Sequence, residues 1–466
     1  MASLQFDIII VGAGVVGAAA AAALGRAGYR ILVIERDLST PERIVGELLQ
    51  PGGVYALRDL GLEDCIEGID GVDVQGYVVV DGKRQIRINY PASEGRLASG
   101  KSFHHGKFVA KLRDAARSSP NVTMVEATAQ ELLWDHAGTA VTGVAFTPRT
   151  STGSKQPEQA VATLTLVADG CFSSLRKHIH PRCARPQPAI ATPSYFYGLV
   201  MRDCELLHPG YGHVVLAEPS TVLMYQIATG EVRVLVDVPV GVRRFKSQAE
   251  IKEYMRQSIL PQLPLSIQPS FATAVDAQTI RSMPNQQLSS SPLRQQGVVM
   301  LGDAANMRHP LTGGGMTVGL RDVVELCRLL SPATGPRLGQ RILELGRLQS
   351  RRKRHAAPIN LLAQSLYVVL AAPRNNRSMR IIREGILCYL GSCSTGVQLS
   401  IGLISGITRS PLAFLLNSIA VIAYAVLVHV YSQSLWCLPV TLHEALSAAV
   451  ELLTTLGPMV VGELFD

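Results

Sequence analysis

Three glycines near the start of the chain, Gly12, Gly14 and Gly17, stand at G-x-G-x-x-G spacing, and an acid, Glu35, follows 18 residues after the third. That spacing suits a dinucleotide. The first glycine permits a tight turn, the second lets the backbone approach a pyrophosphate, and the third lets a helix pack closely with its positive end towards the phosphates. Glu35 is then placed to accept hydrogen bonds from a ribose. A second group lies far along the chain, at Gly302-Asp303 and in His309-Pro310-Leu311-Thr312-Gly313-Gly314-Gly315-Met316. An aspartate at a strand end can hold the hydroxyls of a ribityl chain, which nicotinamide cofactors lack. Three glycines before a helix offer free N–H groups to the negative charge of a reduced isoalloxazine and leave room for its flat ring. Together the two groups predict FAD.

Such residues need elements to hold them. Residues 6–11 are an apolar β-branched run, an alanine-rich helix follows to about residue 27, and 29–34 is a second strand, which makes a β-α-β unit. Further strands are expected at 122–126, 162–168 and 297–301, helices at 51–60, 108–118 and up to residue 330, and a polar loop at 150–159. Residues 75–80 and 85–89 read as a hairpin of a second sheet, and the middle, 189–279, carries strands at 220–227 and 231–237 with 248–259 as its clear helix. The predicted fold is therefore α/β: a discontinuous Rossmann-like cofactor domain (1–73, 105–188, 297–336), an inserted mixed-sheet substrate domain (74–104, 189–296) and a helical membrane-associated part (337–466).

Composition points to lipid. Of 466 residues 47% are hydrophobic and 17% charged, and mean hydropathy is +0.21. Residues 337–383 hold eleven Arg or Lys against Glu344, about +10 of a chain whose net charge is +8; in 385–443 Arg409 is the one formally charged residue. Basic followed by apolar is the pattern of an anionic cytoplasmic leaflet. Residues 411–431 carry no charge over a length able to cross the hydrocarbon, although Asn417, Ser418 and His429 equally suit a helix that dips into one leaflet. Few aromatics accompany the arginines, which argues against nucleic acid. The eight cysteines show neither C-x-x-C pairs nor metal-ligand spacing, and the first residues run into a strand without a secretory signal.

The strings GELLQPGG (46–53), FHHGKF (103–108), VADG (167–170), GDAANMRHPLTGGGMTV (302–318) and GLISG (402–406) resemble the squalene epoxidase (squalene monooxygenase) family, in order and at similar spacing. Lys107 stands where arginine is common, and the chain lacks the N-terminal apolar extension of animal members, so the resemblance is to a short, fungal-type form. It implies FAD contacts at Val15, Val16, Glu35, Arg36, Arg43, Arg113, Asp303 and Met316, with backbone contacts near Leu48 and Ala129, and it sets Gln50 and Tyr77 towards substrate and flavin. A Tyr–Gln hydrogen bond there would shape an apolar tunnel without acid or base. No residue is singled out as catalytic, and His104 and His105 read as structural or capping residues. The resemblance further implies epoxidation of squalene or a similar polyprenyl alkene by dioxygen through a flavin 4a-hydroperoxide. Electrons would come from NADPH through a membrane-bound cytochrome reductase, at the endoplasmic reticulum (or a microsomal or lipid-droplet membrane) with the catalytic part facing the cytosol. A paralogue acting on another terpenoid alkene and a flavin-free prenyl-lipid escort remain as alternatives.

Overall fold

A computed structural model of the chain describes residues 4–93, 95–149, 157–179, 190–290, 295–330, 338–373, 375–392, 394–433 and 438–464. Its first layer is a six-stranded sheet of five mutually parallel strands and one antiparallel strand, Val141–Pro148. Leu4–Val11 has Ile31–Glu35 on one side and Glu158–Val167 on the other; Val122–Trp134 lies beyond the former and Val298–Met300 beyond the latter. Ile8, Ile9, Ile10, Ile31 and Val33 are fully buried, as a parallel sheet covered on both faces requires. The helix Val15–Arg26 closes one face with Ala18 to Ala22, whose small side chains let it lie close to His105–Arg117 and Gly315–Leu330.

Three local expectations change. The strand from residue 122 continues to Trp134 and pairs with Val141–Pro148, a strand not foreseen; Asp135 turns the chain between them by accepting the Thr139 N–H at 2.7 Å. Of the polar loop at 150–159, residues 150–156 lie outside the described residues, whereas Glu158 and Gln159 belong to a strand. In the middle segment a second helix, Gln268–Ala277, packs beside Gln248–Tyr254 and its continuation Met255–Ile259. Its start among prolines hid it, yet Pro269 suits a helix N-terminus.

The second layer is a seven-stranded sheet in the order Arg281–Gln287, Ala191–Arg202, Glu231–Pro239, Val222–Ala228, Gly212–Val215, Gly76–Asp81, Arg84–Asn89. Every pairing is antiparallel except Gly212–Val215 with Gly76–Asp81, which docks the early hairpin onto the middle segment.

Five longer helices follow. Leu348–Leu370 lies along Gly315–Leu330, where buried Arg352 grips Asp322 at 2.9 Å and the Met300 carbonyl at 2.9 Å. Arg351 pairs with Glu325, Arg377 with Glu444, and Arg383 donates to the carbonyls of Val369, Leu370 and Ala372. The basic stretch is thus partly spent inside the protein, because neighbouring helices present acids and helix-end carbonyls to it. Less charge faces a leaflet than the formal count suggests. Ser394–Ile404 leads to a close contact with the first domain: the Gly52 N–H donates to Ser405 O at 2.8 Å, and a Cβ on Gly52 would stand 2.6 Å from Gly406 O.

Pro411–Tyr431 and Leu438–Leu464, with mean hydropathies of 2.2 and 1.5, are long and apolar enough to cross a membrane. Several of their polar groups turn to protein, although His443, Thr454 and Thr455 stay exposed. Asn417 bonds Ser400 at 2.8 Å, His429 meets Glu444 at 3.3 Å, and Glu451 accepts from Asn376 at 2.8 Å, as polar groups in lipid must. The helix Arg377–Ser392 packs against Pro411–Tyr431 through Gly385, where a Cβ would come within 2.1 Å of Ala425.

Candidate active site

The glycine turn is built by backbone and two charged side chains. Gly12 has φ +98°, and a Cβ there would lie 2.4 Å from Ala168 O, so no other residue fits. Gly17 allows the helix to cross Gly12 O, while Gly14 has open space in front of it. Glu35 accepts the Ala13 N–H at 2.6 Å and the Asp37 N–H at 3.2 Å. Arg113 donates to the carbonyls of Ala13 (2.8 Å), Ser39 (2.9 Å) and Asp37 (3.2 Å). Three of its five N–H donors thus hold the turn, and its side chain also lines the cavity.

The opposite wall is stapled by Arg176, which sequence reasoning missed. Its guanidinium, 2% exposed, donates to Ala304 O (2.7 Å), Asp303 O (3.0 Å) and Gly170 O (3.3 Å), joining the 169–171 loop to the Gly302–Ala304 turn. Burial raises the pKa of Asp169, opposed by Ser173 and Arg176. Gly313, at φ +64°, turns the chain into Gly315–Leu330.

Between these walls runs one cavity of about 540 Å³. Its polar end is lined by Gly12, Gly14, Val15, Val16, Glu35, Arg36, Arg43, Arg113, Asp303, Gly315 and Met316, together with Leu48 and Ala129. The same cavity continues to an apolar wall of the seven-stranded sheet, with Val214, Leu223, Met224, Tyr225, Leu235 and Met283, and Tyr77 beside it. Gly17, Gly314 and Gln50 do not line it. Gly314 instead meets Ile359, to which a Cβ would come within 2.4 Å, and Gln50 is fully buried behind Tyr77.

Gln50 stands at the centre of a small network. Its Nε2 donates to Tyr77 Oη and to Thr312 O at 2.7 Å, and its Oε1 accepts from the fully buried Tyr90 at 2.6 Å. Burial raises the pKa of both tyrosines, so both keep their protons near neutrality. Gln50 has two N–H donors, so losing the Tyr77 hydroxyl leaves one of them unpaired, while Thr312 and Tyr90 still hold the other donor and the oxygen. Tyr77→Phe is therefore expected to cost about 1 kcal/mol, whereas Gln50→Leu, which orphans Tyr90 and the Thr312 carbonyl, costs about 2–4 kcal/mol. Urea unfolding of the two variants measures the gap.

His104 pairs with Glu231 at 2.8 Å and does not cap the helix with its side chain; His105 bonds Gly46 O at 2.9 Å. His213, which lines the cavity, is 1% exposed, bonds Tyr211 O through Nδ1 at 3.0 Å and accepts the His208 N–H at Nε2. Protonation would destroy that acceptor. Burial lowers its pKa from 6.5 to about 4. Between those values the unfolded chain binds a proton that the folded chain refuses, so stability falls as pH drops through that window and is unaffected above it. Wild type is expected to lose roughly 2–3 kcal/mol to this residue between pH 7 and pH 4.5. His213→Gln should lose that much less, as read from denaturation midpoints at the two values.

The two sheets, the glycine turn and the cavity between them define the FAD-dependent monooxygenase fold. The p-nitrophenol 4-monooxygenase PnpA of Pseudomonas putida DLL-E4 superposes with a TM-score of 0.71 at 18% identity, over 88% of this chain and 99% of that one. PqsL of Pseudomonas aeruginosa, a probable FAD-dependent monooxygenase, gives 0.64 at 19%, over 79% and 97%. Sequence carries the assignment further. The squalene epoxidase family model matches residues 161–443, and an NAD(P)-binding Rossmann-like model matches 10–40. Squalene epoxidase erg1 of Schizosaccharomyces pombe is 38% identical over 470 residues, covering 100% of both chains. Squalene epoxidase 1 of Arabidopsis thaliana is 43% identical over 426 residues, 90% of this chain and 77% of that one. The squalene monooxygenase of Mus musculus is 39% identical over 427 residues, 90% and 71%. The chain belongs to the squalene epoxidase family.

Proposed function

We propose that this chain is an FAD-dependent monooxygenase that epoxidises the terminal alkene of squalene to 2,3-oxidosqualene in sterol biosynthesis. Dioxygen is the second substrate, and electrons come from NADPH through a separate membrane-bound reductase. The observation that carries the reading is the continuous cavity, polar at the glycine turn and apolar along the seven-stranded sheet. When bound, FAD supplies the activation of dioxygen for oxygen transfer to an alkene.

The residues present suit that cofactor. Glu35, fixed by two backbone N–H groups, keeps lone pairs for ribose hydroxyls, and the open space before Gly14 admits a pyrophosphate against the helix N-terminus. Asp303 turns an exposed carboxylate to the cavity for ribityl hydroxyls. Arg36 and Arg43, both exposed on the cavity rim, suit adenine stacking or phosphate. The start of Gly315–Leu330 directs its positive end towards developing charge on the ring. On the substrate side Leu223, Tyr225 and Leu235 exclude water, while Gln50 fixes Tyr77 so that the tunnel keeps one shape. Adding oxygen to an alkene removes no proton from it, so no base is required.

Residues 1–73, 105–188 and 297–336 hold the cofactor in this reading, 74–104 and 189–296 the substrate, and 337–466 the membrane of the endoplasmic reticulum, with the catalytic part in the cytosol. The test is incubation of the purified chain with squalene, FAD, NADPH and a microsomal reductase, followed by product identification. A flavin-loaded protein that leaves squalene intact while oxidising another terpenoid would overturn the substrate; a colourless protein would overturn the cofactor.

A further inference from the structure

Arg308 is a buried cation that none of the roles above employs. It lines the cavity beside Gly315 and is 8% exposed. One terminal nitrogen donates to Asn306 O at 2.8 Å and to Asn306 Oδ1; the other reaches Gly315 O at 3.4 Å. Its Nε, buried, has no hydrogen-bond partner among the described residues. A guanidinium cannot shed its proton inside a protein, so the charge persists there. The charge is also held from behind. Asn306 Oδ1 accepts from Asn360 Nδ2 at 3.1 Å, and the same amide donates to Glu463 Oε2, in the helix Leu438–Leu464, at 3.0 Å. Burial disfavours the charged form of Glu463, and the Asn360 hydrogen bond and the Arg308 charge oppose that by favouring the carboxylate.

Resting on the flavin reading above, we infer that Arg308 supplies a fixed positive charge that favours the negatively charged, reduced flavin. Glu463, reaching in from the last apolar helix, orients Arg308 through Asn360 and Asn306 and tempers its field. The last helix then supports the cofactor site from behind, through Asn360 and Asn306, without lining the cavity itself. The two residues act on the flavin with opposite signs.

The test is the midpoint potential of FAD in the purified full chain, titrated against a reference dye, which reports the ratio of affinities for reduced and oxidised flavin. Arg308→Met, close in length but neutral, lowers that ratio by about tenfold, about 30 mV for a two-electron couple. Arg308→Lys, which keeps a charge, stays nearer to wild type than to Arg308→Met. Glu463→Gln, which keeps an acceptor for Asn360 but removes the negative field, raises the ratio about threefold. A merely structural pair would shift both variants the same way. Shifts of the same sign, or shifts below about twofold in both, overturn the inference and leave the flavin reading intact; a wild-type chain that takes up no FAD overturns both. Should Arg308→Met not accumulate, Glu463→Gln decides by its sign, and a fall or no change overturns the inference.

Discussion

A chain carrying both Leu416→Arg and Ile419→Arg is expected to leave the membrane fraction while still binding flavin. Both side chains sit on the outward face of Pro411–Tyr431, 56% and 64% exposed, away from the Gly385–Ala425 contact that holds this helix to its neighbour. Each arginine near the middle of a spanning helix costs about 3 kcal/mol on an insertion scale, so the pair costs about 6 kcal/mol, a factor on the order of 10⁴ in partition. Alkaline carbonate extraction followed by flavin absorbance of the soluble fraction measures it. Unchanged pelleting with flavin bound would mean that this helix is not an anchor. Truncation before residue 385 is a poorer experiment, because it also removes Ser405 and Gly406 from Gly52 and Glu463 from Asn360. Flavin would then be lost for reasons unrelated to the membrane.

Asp303→Ala is expected to weaken FAD binding on the order of 100-fold, so that the chain purifies largely colourless. Its carboxylate faces the cavity from a turn whose backbone Arg176 already holds, so the substitution removes an acceptor and leaves the scaffold in place. A charge-assisted hydrogen bond contributes about 1.5–3 kcal/mol, the upper end of which gives that factor. Flavin absorbance per chain, with circular dichroism as the check on folding, reads the result. Full flavin content would remove Asp303 from the cofactor site.

The parts of this architecture legible from sequence are those in which local pattern and chemistry coincide. The β-branched run before Gly12 and the alanine stripe after Gly17 each admit one reading, because burial on every side demands them, and the uncharged stretch 411–431 is legible as an apolar helix although most of its surface is left outside the protein core. What stayed hidden depends on partners distant in the chain. Nothing in the string around Gln50 announces Tyr90 and Thr312, which stand 40 and 262 residues away. Arg176 carries no local signal, since its work is done on the carbonyls of another loop. The basic stretch misled for the converse reason: charge can be counted along a sequence, but Asp322 and Glu325, which consume part of it, belong to a different helix. Arg308 lay inside a motif already singled out, and only its burial and unpartnered Nε gave it a meaning of its own.

The parallel sheet has a consequence for how the molecule is made. Leu4–Val11 emerges from the ribosome first, yet it must find Glu158–Val167, which in turn waits for Val298–Met300. At about 5–20 residues per second, about 15–60 s separate the synthesis of Leu4 from that of Met316, and the flavin cradle cannot close before then. The apolar helices are translated only afterwards. Cofactor capture is therefore open to the nascent chain before its apolar end appears, and a slow flavin supply would leave an empty fold to be tethered first and loaded later.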